Sequence, residues 1–207
     1  MNLAKTLWNE NSDLAQAALA HRFVQGLHTG TLPRQSFQSY VAQDAYFLDA
    51  FARAYALALA HCPDRQGLRD FFDLLSGVLE ELRLHEGYAE HWGVDLSNVT
   101  PTSATLAYTN FLLATATLQG VGETCAAMTP CMRLYAFLGQ SLSTDGIDDN
   151  HPYAEWIRTY ASANFEALAT RLEGLLDRYA ADTPAVHTAY RWAMSLEIGF
   201  FESQAPL

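Results

Sequence analysis

The sequence has few basic residues, and it has no long uninterrupted apolar run. Its 207 residues include 12 Lys and Arg against 23 Asp and Glu, which gives a formal net charge of −11. This charge argues against binding to nucleic acid or to an anionic membrane surface, because both require clusters of Lys and Arg. No stretch reaches the roughly 18 consecutive apolar residues that a membrane-spanning helix needs. We therefore expect small molecules or other protein subunits as partners.

Cysteines are also scarce, and the common cofactor motifs are absent. Cys62, Cys125 and Cys131 are odd in number and form no CxxC pair, which argues against a disulfide framework and a thiolate zinc site. The polar residues among the first 20 positions do not fit a secretory signal. A Gly-rich phosphate loop, HExxH, GxSxG and the paired Glu-x-x-His motifs of di-iron bundles are all missing. We expect a cytoplasmic protein that uses no metal or other cofactor.

Apolar residues recur with helical spacing along nearly the whole chain, and no segment alternates with a period of two. Segments rich in Gly, Pro, Asp, Asn and Ser interrupt this pattern at 28–35, 61–67, 92–105, 142–153 and 180–184. No repeat or Pro/Ser-rich linker marks a second domain. The pattern predicts an all-α fold of seven or eight helices, packed as one compact bundle over residues 1–207.

Three helix starts carry capping signals. Asp64 and Thr183 precede apolar periodic segments, and Pro184 follows Thr183 at the position where proline suits a helix. Asn150 with Pro152 is the third signal. We expect helices to begin at these points.

Two acidic residues, Asp44 and Glu197, lie on apolar faces of predicted helices. The face of Asp44 also carries Tyr40, Phe47 and Phe51, and that of Glu197 carries Tyr190, Met194 and Phe201. Because an unpaired buried carboxylate is costly, each should be protonated, hydrogen-bonded, or at the edge of a pocket for a polar ligand. The alternative is that a core Tyr or Arg satisfies each carboxylate without any functional role.

Cys131 directly follows Pro130 within an apolar helical segment. Either a new helix begins there, capped by Thr129, or the proline kinks a continuous helix. In the first case the helix N-terminus favours a thiolate, and in the second the kink opens the helix toward a cavity. The sequence leaves both alternatives open, together with a third in which Cys131 is an inert core residue.

Tyrosine is frequent, with 10 residues in the chain. Tyr108 and Tyr160 lie on inward-facing stripes, and Tyr135 shares a helix face with Cys131. Such rings can wall a pocket for a flat ligand and offer hydroxyl groups at its edges. Ordinary core packing is the alternative.

Five segments of the sequence resemble the TenA/thiaminase II family, whose members are helical proteins of the haem-oxygenase-like fold. The segments are 23–48, 101–112, 128–135, 151–162 and 195–201. The first segment and the Pro-Cys helix are specific, whereas the last is weak alone. The resemblance extends over nearly the whole chain.

The resemblance to cysteine-bearing members implies a hydrolase that releases hydroxymethylpyrimidine from aminopyrimidines for thiamine salvage. The implied substrates are aminomethyl- and formylaminomethyl-pyrimidine, with thiamine itself as a further candidate. Cys131 matches the nucleophile, and Asp44 matches an aspartate that binds the pyrimidine amino group and ring nitrogen. Glu197 matches a carboxylate that transfers protons. A homotetramer is also implied.

The remaining site residues follow from the same resemblance. Tyr108, Tyr135 and Tyr160 match tyrosines of the substrate pocket, and His85 is implied in the shell around it. Phe47 stands where many members have a tyrosine close to the nucleophile. Phenylalanine keeps the stacking surface but removes one hydrogen bond, worth about 0.5–1.5 kcal/mol. We expect this to affect the rate and the preferred leaving group more than the reaction class.

Two other functions fit the same features less well. A carrier or regulator that binds hydroxymethylpyrimidine would use the pocket without turnover. An oxidase-like member of the fold, acting without metal on a quinone-like substrate, would have no use for Cys131 and Glu197 together.

Overall fold

Ten α-helices make up the fold over the residues that the structure describes. The structure is a computed structural model that describes residues 2–144 and 146–205, except for the side chains at positions 84, 85 and 88. The helices are α1 Leu3–Glu10, α2 Ser12–Leu19, α3 Arg22–Thr29, α4 Arg34–His61, α5 Arg65–Trp92, α6 Ser103–Leu118, α7 Val121–Leu142, α8 Ala154–Ala161, α9 Ala163–Tyr179 and α10 Pro184–Gln204. These ranges contain no strand, so the predicted all-α class is confirmed.

The predicted number of seven or eight helices is too low, because polar residues separate helices without a Gly or Pro signal, and two of them cap the helix that follows. Asn11 separates α1 from α2. His21 begins α3, and its ring accepts the N–H of Phe23 at 3.2 Å. Ser162 separates α8 from α9, and its hydroxyl accepts the N–H of Phe165 at 3.1 Å. Such residues also occur inside helices, so their capping role is not evident from the sequence.

Two of the three predicted capping residues begin helices as expected. The Asp64 carboxylate accepts a backbone N–H from the first turn of α5 at 2.8 Å, and Thr183 caps α10. The prediction for Asn150 is wrong, since α8 begins at Ala154 after Tyr153. The Asn150 N–H instead donates to Asp148 Oδ1 at 2.8 Å, which closes a turn before the helix.

The long helices α4, α7 and α10 bring the predicted site residues together. α4 packs against α5 and α6, while α7 packs against α8, α9 and α10. One hydrophobic core cluster draws buried side chains from all ten helices. No helix in the described part of the chain is long and apolar enough to cross a membrane.

Gly139 in α7 allows a close crossing with α8. A Cβ at this position would overlap the main-chain carbonyl carbon of Tyr160 and lie 2.5 Å from the nitrogen of Ala161. Only glycine permits this approach without displacing α8. Gly139 therefore helps to set where Tyr160 enters the core.

Candidate active site

α7 continues through Pro130, so Cys131 lies in the interior of a helix and not in its first turn. Thr129 does not cap a new segment, because its hydroxyl donates to the carbonyl of Cys125 at 2.7 Å, one turn back. This corrects the alternative in which a helix N-terminus favours a thiolate. Of the two backbone alternatives, the structure has the continuous helix with a proline inside it, and Cys131 borders a cavity.

Burial raises the pKa of the Cys131 thiol well above its usual value. The carboxyl groups of Glu197, Asp44 and Glu81 raise it further, since negative charges disfavour a thiolate. Cys131 is therefore a neutral thiol in the resting protein. It requires a proton acceptor before its sulfur can act as a nucleophile.

Glu197 from α10 can accept this proton once it has given up its own. Only 1% of its surface is exposed. The Tyr108 hydroxyl donates to Glu197 Oε1 at 2.6 Å. Burial raises the pKa of Glu197 to about 8, and the charge of Asp44 adds to this effect. Hydrogen bonds with Tyr108 and Cys131 act in the opposite direction. A carboxyl group with this pKa can both accept and donate a proton near neutral pH.

Asp44 and Phe47 from α4 form one wall of the cavity beside Cys131. Both are buried, with Asp44 at 5% exposure. The Phe47 ring lies 4.7 Å from the ring of Tyr108 and 5.4 Å from that of Phe51. An aromatic wall therefore adjoins a carboxylate, which suits a flat ligand with polar edges.

Tyrosines from α7 and α8 contribute two more rings to the cavity lining. The rings of Tyr135 and Tyr160 meet edge to face at 4.8 Å, and both border the cavity. Tyr40 donates to the hydroxyl of Tyr135 at 3.4 Å and accepts from Trp156 Nε1 at 3.1 Å. These hydrogen bonds hold the rings of Tyr40 and Tyr135 in place.

The cavity itself encloses about 20 Å³, which is room for one water molecule. Of the predicted site residues, it is bordered by Asp44, Phe47, Cys131, Tyr135 and Tyr160. Glu197 and Tyr108 are not on its surface, but Glu197 reaches the cavity through Cys131. A pyrimidine ring is larger than this space, so the walls must move apart to admit one.

Glu81 from α5 also borders the cavity, and the sequence reasoning did not identify it. Tyr160 donates to Glu81 Oε1 at 3.4 Å. The signal was available, because Glu81 continues the buried stripe of Phe71, Leu74 and Val78 at helical spacing. The side chain of His85, implied in the outer shell, lies outside the described residues. Among those described, no group of three or more His, Cys, Asp or Glu could hold a metal ion.

Known sequences match this chain over most of its length. The model of the TENA/THI-4/PQQC family matches residues 8–201. The chain is 35% identical over 185 residues to an aminopyrimidine aminohydrolase of Halalkalibacterium halodurans, covering 87% of this chain and 83% of the relative. It is 38% identical over 208 residues to the bifunctional TH2 protein of Arabidopsis thaliana, covering 88% of this chain. The matched region spans only 34% of that longer protein.

Two solved structures have the same fold. A TenA family transcription regulator from Silicibacter sp. TM1040 superposes with a TM-score of 0.90 at 29% identity, covering 97% of this chain and 95% of the other. A haem oxygenase-1 from Synechocystis superposes with a TM-score of 0.63 at 16% identity, covering 98% of this chain and 92% of the other. The second likeness concerns the fold alone, and it confirms the predicted haem-oxygenase-like class.

Proposed function

Because the chain belongs to the TENA/THI-4/PQQC family, we propose that it hydrolyses aminopyrimidines to release hydroxymethylpyrimidine. Aminomethyl- and formylaminomethyl-pyrimidine are the proposed substrates, with thiamine as a further candidate, and thiamine salvage is the proposed role. The observation that carries this proposal is the position of Cys131 between two buried acidic residues. Asp44 lies on the same cavity, and the Glu197 carboxyl group is near enough to the thiol to raise its pKa.

The first step needs a nucleophile and a proton on the pyrimidine ring. Glu197 gives its proton to a ring nitrogen and takes the proton of the Cys131 thiol, so the carboxyl group is restored as the sulfur bonds to a ring carbon. The pKa of about 8 suits both transfers near neutral pH. Asp44 accepts a hydrogen bond from the exocyclic amino group and thereby orients the ring.

The second step exchanges the amine for water. The amine of the aminomethyl group, protonated to an ammonium near neutral pH, leaves as ammonia with the electrons of its C–N bond, and the ring electrons form an exocyclic methylene at that carbon. The oxygen of a water molecule bonds to the methylene carbon and loses one proton. The ring nitrogen then returns its proton to Glu197, Glu197 returns one to the sulfur, and the Cys131 bond to the ring breaks. The sum is addition of water and loss of the amine.

The aromatic side chains supply the slot for the ring. Phe47 offers a stacking face, and Tyr135 and Tyr160 also border the cavity. Tyr108 keeps Glu197 oriented through its 2.6 Å hydrogen bond. Since the cavity encloses about 20 Å³, substrate binding must be coupled to separation of these walls.

Replacing Cys131 by Ser tests the proposal. The expected result is loss of hydroxymethylpyrimidine and ammonia release from aminomethylpyrimidine, because a hydroxyl of much higher pKa replaces the thiol. The helical circular dichroism spectrum should be unchanged. Assays against a panel of aminopyrimidines and thiamine measure which substrate is preferred.

Cys125→Ala provides a matched control, since Cys125 is a fully buried thiol in the same helix that does not border the cavity. This variant should keep its activity. Turnover by Cys131→Ser at the wild-type rate would contradict the role of the nucleophile. Tight binding of hydroxymethylpyrimidine by the wild-type protein without turnover of any aminopyrimidine would favour a carrier or regulator.

The proposal also covers the cellular location and the oligomeric state of the protein. The three cysteines are free thiols, which suits the reducing cytoplasm. A homotetramer is supported by three exposed apolar residues on one helix, Leu68, Phe72 and Leu79 of α5. Apolar side chains in such a row are typical of contacts between subunits.

A further inference from the structure

The proposed hydrolysis leaves one proton without an acceptor. As the water oxygen bonds to the methylene carbon, the water must lose a proton. Glu197 is committed to the ring nitrogen and to Cys131, and Asp44 to the amino edge of the ring. A third base at the cavity is therefore required for this step.

Glu81 is the remaining carboxyl group on the cavity surface. Val78 lies one turn earlier in the same helix, and the side chains of both residues border the cavity. Its neighbour Glu80 points outward and pairs with Arg83 at 3.2 Å. The two consecutive glutamates therefore have different surroundings, one at the cavity and one in solvent.

The contacts of Glu81 fit a group that handles water. Tyr160 donates to its Oε1 at 3.4 Å, and both side chains border the cavity. Glu81 is partly exposed, whereas Glu197 is 1% exposed. The carboxylate of Glu81 is near enough to Cys131 to raise the pKa of its thiol, after the larger effects of burial, Glu197 and Asp44. Glu81 thus borders the cavity and is also partly accessible to solvent, and the free space of about 20 Å³ accommodates one water molecule.

We propose that Glu81 is the general base that accepts the proton of the attacking water, and that Tyr160 positions its carboxylate. This inference rests on the proposed function. In this step the C–O bond forms at the methylene carbon, the water proton passes to Glu81, and the methylene electrons return to the ring. Glu81 later releases the proton to solvent, which it can reach because it is partly exposed.

The test uses Glu81→Gln, with azide as an added nucleophile that needs no base. A general base contributes about a hundredfold or more, so we expect hydrolysis of aminomethylpyrimidine to fall by at least about a hundredfold. Azide should restore ammonia release and give the azidomethyl product, because an anion adds to the methylene carbon without losing a proton. The wild-type protein should give mainly the alcohol under the same conditions. The ratio of azide to alcohol product is therefore the decisive measurement.

Glu80→Gln is the matched control, because it changes the adjacent glutamate outside the cavity. It should keep wild-type hydrolysis and product ratio. Hydrolysis by Glu81→Gln at the wild-type rate would overturn the proposal. So would a loss that azide does not relieve, since a purely structural role would impair both nucleophiles equally.

Two further outcomes keep the proposal separate from the proposed function. If wild-type protein and Glu80→Gln both fail to turn over every aminopyrimidine, the proposed function is wrong and the role of Glu81 is overturned with it.

If Glu81→Gln does not fold by circular dichroism, Glu81→Asp is used in its place. This variant keeps a carboxylate but withdraws it from the cavity, so hydrolysis should fall and azide should restore ammonia release. Unchanged hydrolysis, or no effect of azide, would contradict the proposal.

Discussion

Glu197 is a carboxylic acid in the folded protein at neutral pH, because burial raises its pKa to about 8. Its hydrogen bonds with Tyr108 and Cys131 only partly offset the loss of hydration. The same burial that adapts Glu197 to proton transfer also makes its ionised form unfavourable in the fold. The pKa of this one group therefore connects the stability of the protein to its proposed chemistry.

The stability of the protein should consequently depend on pH through Glu197. The folded-state pKa of about 8 lies above the value of 4.5 for the free side chain, so the folded state binds more protons between these values. The free energy of unfolding then falls as pH rises through this window, by up to about 1.4 kcal/mol per pH unit. Glu197→Gln removes the titration but keeps an acceptor for Tyr108. We expect the variant to gain stability relative to wild type between about pH 5 and about pH 8.

Urea unfolding of wild type and Glu197→Gln across this pH range measures the difference between their free energies of unfolding. Titrations of other groups cancel in this difference. Tyr108→Phe provides a second reading of the same group. Loss of the Tyr108 hydrogen bond should raise the pKa of Glu197 further. The fall in the free energy of unfolding should then continue to a higher pH. Parallel stability curves for wild type and Glu197→Gln would mean that Glu197 is not buried as an acid.

Asp44 and Glu197 could be identified from the sequence because each interrupts an apolar stripe. Glu81 follows the same rule, since it continues the apolar stripe of Phe71, Leu74 and Val78. The state of Cys131 could not be predicted, because it depends on whether α7 continues through Pro130. The small size of the cavity could not be predicted either, since it depends on how side chains from five helices pack against one another.

At the scale of helices, the sequence located the breaks that are rich in Gly, Pro and Asp. It did not reveal the divisions between α1, α2 and α3, which contacts with the distant helix α10 help to hold. Arg191 of α10 donates to Asn11 at 3.1 Å and pairs with Asp13 at 2.9 Å. His21 contacts Glu202 at 2.9 Å. These partners lie about 180 residues apart, so local pattern carries no information about them.

The crossing of α7 and α8 depends on the missing side chain of Gly139. Gly139→Ala should destabilise the fold by about 1–3 kcal/mol, because the new methyl group overlaps the backbone of Tyr160. Gly174→Ala is the control, since that glycine is exposed in α9 with open space around its Cβ position. It should stabilise the protein by about 0.5–1 kcal/mol through helix propensity. Chemical denaturation measures both changes.

Equal effects at the two glycines would show that α8 can shift freely and that Gly139 does not fix the crossing. If the crossing is fixed, Gly139→Ala should also weaken binding of hydroxymethylpyrimidine, because Tyr160 moves with the α8 backbone. The effect on binding should be absent in Gly174→Ala.

At the scale of the whole molecule, we propose one domain, which is supported by a core cluster that includes side chains from every helix. The outer face of α5 does not take part in this core. Phe72 is 61% exposed there, with Leu68 and Leu79 on the same helix also exposed. The inner face of α5 carries Val78 and Glu81 at the cavity. A contact between subunits along the outer face would therefore steady the helix that supports the proposed base.

Phe72→Asp should disrupt this contact, because a carboxylate in an apolar interface loses hydration without gaining a partner. We expect light scattering to give a lower mass than for wild type, with the helical spectrum unchanged. Leu118→Asp is the control, since Leu118 is 75% exposed at the end of α6 and lies outside the α5 row. It should leave the mass unchanged. A wild-type mass for Phe72→Asp would exclude the α5 row from the interface. A lower mass accompanied by weaker hydrolysis would indicate that assembly supports the cavity through α5, because Phe72 itself is far too exposed to contact a substrate there.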